Sequence, residues 1–340
     1  GTVPSGFSML ATQNLPTPDV INYQDEYYIL AGIGHTTGTT TDVHLPKTVS
    51  GGAMARIKRT NTTGSWYVFD TVRGANKSVE WDLYSTEDTS WTDQELSGTT
   101  LTLPSALATG TYLIEVYYVG AYFQIKGYNG NSAIRTETYG SALDTAPGFM
   151  ACFHRTGTAG SVNAAYHTSS GATKVIYTDR SNNPVAISTV WNNTEPTTTG
   201  FTMGNNEHNK SGGVYISYHW ANSGTYKFGE FKGNNNASGP VVNVGGSPAS
   251  FFVKTSATTT ASWITKSGGI NTDGNDWEKY LTSNDTGAIQ NVATLEHDIL
   301  STGFKARGAH VAINGTIDHI YGAFGIQPLT DGAINQGRAK

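Results

Sequence analysis

Short apolar and aromatic runs, separated by clusters of Gly, Asn, Ser and Pro, recur along the whole chain. Val, Ile, Tyr, Thr, Trp and Phe favour strands, and short runs of them between turn residues are typical of sandwiches and barrels. The clearest strands are predicted at residues 112–119, 214–220 and 251–254. The first two are apolar at almost every position, which predicts central strands covered on both faces.

One segment has a helical period, because Val292, Leu295 and Ile299 recur at helical spacing within residues 291–300. The internal repeat described next aligns it with residues 188–193, whose composition is that of a loop. We therefore predict that residues 291–300 do not form an α-helix.

The chain contains one pattern written three times. The units begin with an aromatic strand and a Gly/Asn turn, at residues 27–32, 122–130 and 226–234. A small-residue turn with an apolar strand follows at 52–58, 148–154 and 249–254, and a polar strand with a turn at 83–88, 176–180 and 280–285. The last strand follows Gly110, Gly213 and Gly315, which lie 103 and 102 residues apart.

A period of about 100 residues is long enough for a β-sandwich with its own core. We therefore predict an all-β protein of tandem β-sandwich units, of jelly-roll or lectin-like type. The predicted boundaries are an N-terminal connector at 1–22, repeats at 23–120, 121–222 and 223–329, and a C-terminal tail at 330–340.

The first repeat carries the most distinctive motif, Ile57-Lys58-Arg59 followed by residues 66–77, WYVFDTVRGANK. It resembles the signature "I-K-x-R … W-x-x-x-D-x-x-R-G" of an uncharacterised domain repeated in structural proteins of tailed bacteriophages, many of them marine or cyanobacterial. The second repeat has Ala164-Ala165-Tyr166-His167 instead, and the third keeps Trp263 without the Asp or Arg. The resemblance implies a location in the virion. A packed Trp and an Asp/Arg pair that braces a turn would explain the motif as well as a functional site would.

Composition and charge exclude several classes of function. The chain has 340 residues, a net charge of −5 and only 14% charged residues, so it lacks the basic surface of a nucleic-acid-binding protein. No segment reaches the roughly 18 apolar residues of a membrane-spanning helix, and residues 1–10 lack the features of a signal peptide. The single cysteine, Cys152, lies among apolar neighbours and is predicted to be a buried packing residue.

No catalytic signature is present, and we predict no catalytic residue, metal site or cofactor. The acidic pairs that could serve glycoside hydrolysis are neighbours in sequence, which favours solvated charge. The histidines lack the short spacing of metal ligands. Oxygen ligands alternate in one Asx-rich run, as in calcium loops, but side chains that cap their own backbone explain it better. The acidic pairs are Glu87/Asp88, Asp93/Glu95 and Glu296/Asp298, and the Asx-rich run comprises Asn271, Asp273, Asn275, Asp276 and Glu278.

Trp91 and Trp191 are the candidate glycan-binding residues. They occupy polar stretches 100 residues apart, at corresponding places in two units. A flat ring in a polar loop could stack on a sugar; alternatively, each ring closes the end of its own sandwich.

These observations favour a non-enzymatic virion protein, a tail-fibre or surface component that contributes to host attachment. Its expected partners are other virion proteins, further copies of itself and a host surface glycan. Two alternatives stay open: a purely architectural capsid decoration or connector protein, and a polysaccharide-degrading tailspike.

Overall fold

The computed structural model describes residues 23–156, 163–256, 262–272, 274 and 276–328. The predicted connector at 1–22 and tail at 330–340 lie outside these residues. Strands hold 46% of the described residues and helical turns 4%, which confirms the all-β prediction. No helix in the described part is long and apolar enough to cross a membrane.

Unit 1 (residues 23–120) contains eight strands. They are β1 (Tyr27–His35), β2 (Thr41–His44), β3 (Ala53–Arg59), β4 (Trp66–Asp70), β5 (Val79–Glu80), β6 (Glu95–Ser97), β7 (Thr100–Leu103) and β8 (Gly110–Tyr118). The described residues of unit 2 (residues 121–222) also form eight strands. They are β9 (Phe123–Asn129), β10 (Arg135–Thr138), β11 (Pro147–Thr156), β12 (Ala164–His167), β13 (Lys174–Tyr177), β14 (Val185–Ala186), β15 (Gly200–Met203) and β16 (Val214–Ala221).

Unit 3 (residues 223–328) contains the remaining strands. They are β17 (Tyr226–Lys232), β18 (Val241–Asn243), β19 (Gly246–Ser247), β20 (Ser250–Thr255), β21 (Ile264–Ser267), β22 (Asp276–Trp277), β23 (Lys279–Thr282), β24 (Gln290–Asn291), β25 (His297–Leu300), β26 (Gly303–Ala306), β27 (Asp318–Phe324) and β28 (Gln327–Pro328). Three short 3₁₀ turns (Tyr23–Asp25, Glu207–Asn209 and Ala293–Leu295) and one helical turn, α1 (Val311–Asn314), complete the structure.

Each unit has a large sheet and a small sheet, and the three large sheets share one strand order. The orders are β1-β8-β3-β4-β5, β9-β16-β11-β12-β13-β14 and β17-β27-β20-β21-β23-β24. The small sheets are β2-β7-β6, β10-β15 and β18-β26-β25-β22. Apolar residues buried between the two sheets give each unit the core of a β-sandwich. The predicted boundaries near residues 120 and 222 fall between β8 and β9 and between β16 and β17.

The last long strand of each large sheet is buried on both faces. β8 pairs with β1 and β3, and β16 pairs with β9 and β11, so both are central strands as their continuous apolar runs predict. One face packs on the small sheet of the same unit. The other face contributes to a central core that all three units share.

This central core differs from the expectation that each repeat is an independent sandwich. Among the described residues, unit 1 contributes eight buried residues, unit 2 ten and unit 3 eight. Aromatic rings dominate it, among them Tyr117, Trp220 and Phe324 on the three corresponding strands. Burying such a side chain stabilises a protein by about 1.5–3 kcal/mol, so a unit without its neighbours would lose much of its packing.

Neighbouring units also cover the outer edges of the large sheets. Gly269 of unit 3 approaches β1 so closely that an added Cβ would lie 2.9 Å from the Ala31 Cβ. Gly148 of unit 2 lies closer still to β17, where a Cβ would lie 2.4 Å from the Phe228 ring. The unpaired edge of a sheet is a site of aggregation, and at these two points another unit packs against an edge strand.

Two local predictions have opposite outcomes. Residues 291–300 form the end of β24, a 3₁₀ turn and β25, so the prediction from the repeat is confirmed. The polar strand predicted at residues 83–88 is wrong, since only Asp88 forms an isolated bridge, with Ser78. Glu87 instead binds Arg155 of unit 2 through both its backbone N–H and its carboxylate.

Candidate functional site

The signature residues of unit 1 lie on the β3–β4 hairpin and the turn after it. Lys58 lies opposite Trp66 and Met54 opposite Asp70 in the ladder. Since side chains alternate between the two faces of a strand, Lys58, Trp66 and Asp70 all point towards the central core and the neighbouring units. Gly74 ends the turn with a φ of 82°, a left-handed conformation that glycine adopts without strain.

Trp66 joins unit 1 to unit 3. The indole Nε1–H donates to the backbone oxygen of Thr282 at 3.0 Å, and the ring is fully buried. The backbone N–H of Trp66 donates to the Asp82 carboxylate at 2.8 Å, which fixes the start of β4. Burial raises the pKa of that carboxyl to about 7.

The same contact recurs at the corresponding positions of the other two units. Trp263 of unit 3 donates from Nε1 to the backbone oxygen of Tyr177 in unit 2, at 3.1 Å. Asn163 of unit 2 donates from Nδ2 to the backbone oxygen of Glu80 in unit 1, at 3.1 Å. Each acceptor lies two residues before a side chain that accepts from the backbone N–H at the start of its own hairpin strand. These side chains are Asn284 after Thr282, Asp179 after Tyr177 and Asp82 after Glu80. Unit 1 thus binds unit 3, unit 3 binds unit 2 and unit 2 binds unit 1, which closes a ring of three.

Buried lysines accompany the two tryptophans. Lys58 donates to the backbone oxygens of Gly64 at 2.6 Å and of Asp285 in unit 3 at 3.2 Å. Lys254 donates to the backbone oxygen of Ser181 in unit 2 at 3.2 Å. Desolvation lowers the pKa of the Lys58 amine to about 8 and that of Lys254 to about 7. Each ammonium lies within 6 Å of the adjacent indole ring, where a cation–π attraction partly offsets its burial.

Asp70 and Arg73 brace the turn after β4 and contact unit 2. They form a fully buried salt bridge, and the Arg73 backbone N–H donates to Asp70 at 2.8 Å. The Tyr218 hydroxyl of unit 2 donates to the same carboxylate at 2.8 Å. The turn-bracing explanation of the motif is therefore confirmed, and the pair also makes a contact between units.

A second buried ion pair lies beside the central core. Arg56 donates to Glu115 at 2.7 Å, and its guanidinium lies 4.4 Å from the centre of the Trp66 ring. The hydroxyls of Tyr27 and of Ser250, which belongs to unit 3, donate to the same carboxylate at 3.0 and 3.2 Å. Removing one member would leave a buried charge unpaired, so this network fixes how units 1 and 3 dock.

Trp91 and Trp191 are not exposed platforms. Trp191 is 1% exposed and Trp91 is 9% exposed. Trp91 packs on Tyr67 and donates to Ser78 at 2.9 Å, all within unit 1. Trp191 packs in the core of unit 2 against Tyr166. The alternative, that each ring closes its own sandwich, fits both positions, and the expectation of an exposed stacking ring at either one is wrong.

On the outer face of the small sheet of unit 3, Asp276 meets an acidic pair that lies 20 residues later in the sequence, Glu296 and Asp298. Asp276 lies directly opposite Asp298 in the ladder, and carboxylate oxygens of these two residues and Glu296 lie within 4.8 Å of one another. Burial and the neighbouring carboxylates raise the pKa of Glu296 to about 7. Arg307 forms a salt bridge with Asp298 at 3.3 Å. The oxygen atoms suit a hard cation such as Ca²⁺, while Arg307 already supplies part of the opposite charge.

Three of the other acidic candidates form an ion pair or accept from a backbone N–H. Glu87 binds Arg155 at 2.7 Å, Asp88 accepts from the Ser90 N–H at 2.8 Å, and Asp93 accepts from the Ser105 N–H at 3.0 Å. Glu95 is exposed on β6. Of the Asx-rich run, Asn271 braces its own turn through Ser267 and Lys279, while Asp273 and Asn275 lie outside the described residues. Glu278 accepts from the Asn291 amide at 3.1 Å.

The packing role predicted for Cys152 is confirmed: it is fully buried, and burial raises the pKa of its thiol to about 12. Seven of the nine histidines are buried, which the sequence did not reveal. They are His35, His154, His167, His208, His219, His297 and His319.

The contacts between units were not predicted from the sequence. The signal that could have indicated them is the recurrence of a Trp at positions 66 and 263, each a few residues after an apolar run that ends in Lys58 or Lys254.

Comparison with known proteins gives one family. Residues 118–328, more than half of the chain, match the model of a family described as a domain of unknown function, DUF7483. The match begins at the last residue of β8, so it covers units 2 and 3. No curated protein matches the chain. The chain therefore belongs to the family described as a domain of unknown function, DUF7483.

Proposed function

We propose that this protein is a non-enzymatic structural component of a tailed-phage particle, in which three β-sandwich units form one rigid block. The observation that carries the proposal is the role of the signature residues. Lys58, Trp66, Asp70 and Arg73 hold the units together. A motif that resembles one in phage structural proteins thus has an architectural role in this chain.

Within the particle, we propose that the block belongs to a tail fibre or to the virion surface and contributes to host attachment. It would assemble with further copies of itself and contact other virion proteins. Because Trp91 and Trp191 are buried, such attachment would use exposed loops. Labelled antibodies against the protein, imaged on intact particles, test the placement. Label at the distal tip supports attachment, whereas label on the capsid shell or no access to the antibody supports a decoration or connector protein.

Adsorption competition tests the attachment role separately. Purified protein, pre-incubated with host cells, should slow phage adsorption in proportion to its concentration. The matched control is the same protein unfolded by heat. Unchanged adsorption at saturating protein would contradict host attachment and leave the architectural role as the proposal.

The acidic cluster of unit 3 favours a second candidate, a polysaccharide-degrading tailspike. A retaining glycosidase uses two neighbouring carboxyl groups, one as acid and one as nucleophile, and Glu296 with its raised pKa would be the acid. Incubation with host envelope polysaccharide, followed by size analysis of the glycan, tests it. Shortening that disappears in Glu296→Gln would support this candidate over the non-enzymatic one.

A further inference from the structure

One corresponding position, the end of the second hairpin strand, carries a chemically different residue in each unit. Asp70 in unit 1, His167 in unit 2 and Ser267 in unit 3 lie opposite Met54, Phe149 and Ser250 in their ladders. Asp70 is paired with Arg73, and Ser267 does not titrate. His167 is the position whose charge can change in mildly acidic solution.

His167 connects unit 2 to unit 3 through a defined tautomer. Its Nε2 lies 3.0 Å from the backbone oxygen of Tyr321 in unit 3, and its Nδ1 lies 3.2 Å from the backbone nitrogen of Ser169. A backbone N–H can only donate, so Nδ1 is the acceptor and Nε2 carries the proton. A second proton on Nδ1 would point at the Ser169 N–H, and that hydrogen bond would be lost.

The described residues in contact with the His167 ring are mostly aromatic and apolar. The ring is fully buried and lies against Phe149, Phe228 and Phe252. Burial lowers its pKa to about 4, and the Tyr321 carbonyl opposes this only in part.

The ionisable groups on the strands packed around the ring are accounted for by other contacts or by exposure. On β17, Glu230, Lys227 and Lys232 are exposed. On β20, Lys254 binds the Ser181 oxygen. On β27, Asp318 is exposed and His319 binds the oxygens of Ile317 and Val311. On β11, Arg155 binds Glu87, and Cys152 and His154 belong to the opposite face of the strand from Phe149.

We propose that His167 makes the contact between units 2 and 3 an acid-sensitive joint, which opens when the ring takes a second proton. In the closed state the ring is held neutral. In the open state it is solvated and titrates near its ordinary pKa of about 6.5. The open state therefore binds more protons below that pH, and the closed state loses stability as the pH falls from about 6.5 towards 4.

Hydroxyl-radical footprinting read by mass spectrometry reports the joint directly, because it measures the exposure of single side chains. Phe228 lies at the joint, stacked on Phe149 of unit 2, and Trp91 is buried inside unit 1. In the wild-type protein, Phe228 should become reactive between pH 6.5 and 4.5 while Trp91 stays protected. If Phe228 and Trp91 became reactive together, the units would be unfolding as a whole and the proposal would be wrong.

Two variants sharpen the result. His167→Gln keeps a donor for Tyr321 and an acceptor for Ser169 but cannot take the proton, so the exposure of Phe228 should shift to lower pH by at least about one unit. His219→Gln is the matched control, because His219 is a buried histidine bonded to Tyr139 and Ser217 within unit 2. It should leave the early exposure of Phe228 in place. The same Phe228 profile in wild type and His167→Gln would overturn the proposal, and the order of exposure in the wild type decides it even if the variant fails to fold.

Discussion

Trp66→Phe removes one donor from the ring of contacts while keeping an aromatic side chain in place. It breaks the bond from Nε1 to the Thr282 oxygen, and loss of a buried partner costs about 1–3 kcal/mol. The smaller ring also weakens the cation–π contact with Arg56, 4.4 Å away, worth about 0.5–1 kcal/mol. We expect the variant to lose about 1.5–4 kcal/mol of unfolding free energy.

The location of the damage is the informative part of this prediction. Trp91→Phe is the matched control, because it removes an indole donor, to Ser78 at 2.9 Å, whose partner lies in the same unit. Hydrogen exchange should rise in β23 (Lys279–Thr282) of unit 3 in the Trp66 variant and stay at the wild-type level there in the Trp91 variant. If β23 exchanged at the wild-type rate in both proteins, the contact would not couple unit 1 to unit 3 and the reasoning would fail.

Three further predictions concern single groups. A double-mutant cycle of Asp70→Asn and Tyr218→Phe, followed by urea unfolding, should give a coupling of about 1–3 kcal/mol between units 1 and 2, whereas additivity within about 0.5 kcal/mol would contradict the contact. Burial lowers the pKa of His219 to about 3, so below pH 6.5 this side chain gains a proton when the protein unfolds. The folded protein therefore loses about 2–3 kcal/mol of stability through His219 between pH 6.5 and 4.5, and His219→Gln should flatten the pH dependence of unfolding over that range. The pKa of Glu296 is raised to about 7, so its contribution to stability is present below its ordinary pKa and is lost as the pH rises through 7. Glu296→Gln should therefore be more stable than the wild type at pH 8 but not at pH 4. Equal melting temperatures of the two proteins at pH 8 would contradict crowding of the carboxylates.

The elements and their class could be predicted because they depend on local patterns. Continuous apolar runs identified β8 and β16 as central strands, and the glycines before the last strand of each unit aligned the repeats. The pattern at residues 83–88 misled, because Glu87 forms its bonds with Arg155 of another unit. The alternation of polar and apolar residues within one repeat does not show a bond to a residue of another repeat.

The candidate site shows the same limit. The polar setting of Trp91 and Trp191 suggested exposure, but a ring that closes the end of a sandwich is also flanked by loop residues. Asp276 belongs to the Asx-rich run and Glu296 to a separate acidic pair 20 residues later. Only the pairing of β22 with β25 brings the two side chains together. Lys58 and Lys254 look like ordinary surface lysines in sequence, and their burial depends on carbonyl groups supplied by the next unit.

Differential scanning calorimetry of the wild-type protein tests the closed ring most directly. If the three units share one core and bind each other in a cycle, they should unfold in a single transition whose van't Hoff enthalpy equals the calorimetric enthalpy. Two or three resolved transitions, or a calorimetric enthalpy about three times the van't Hoff value, would show that the units unfold independently and would contradict the ring.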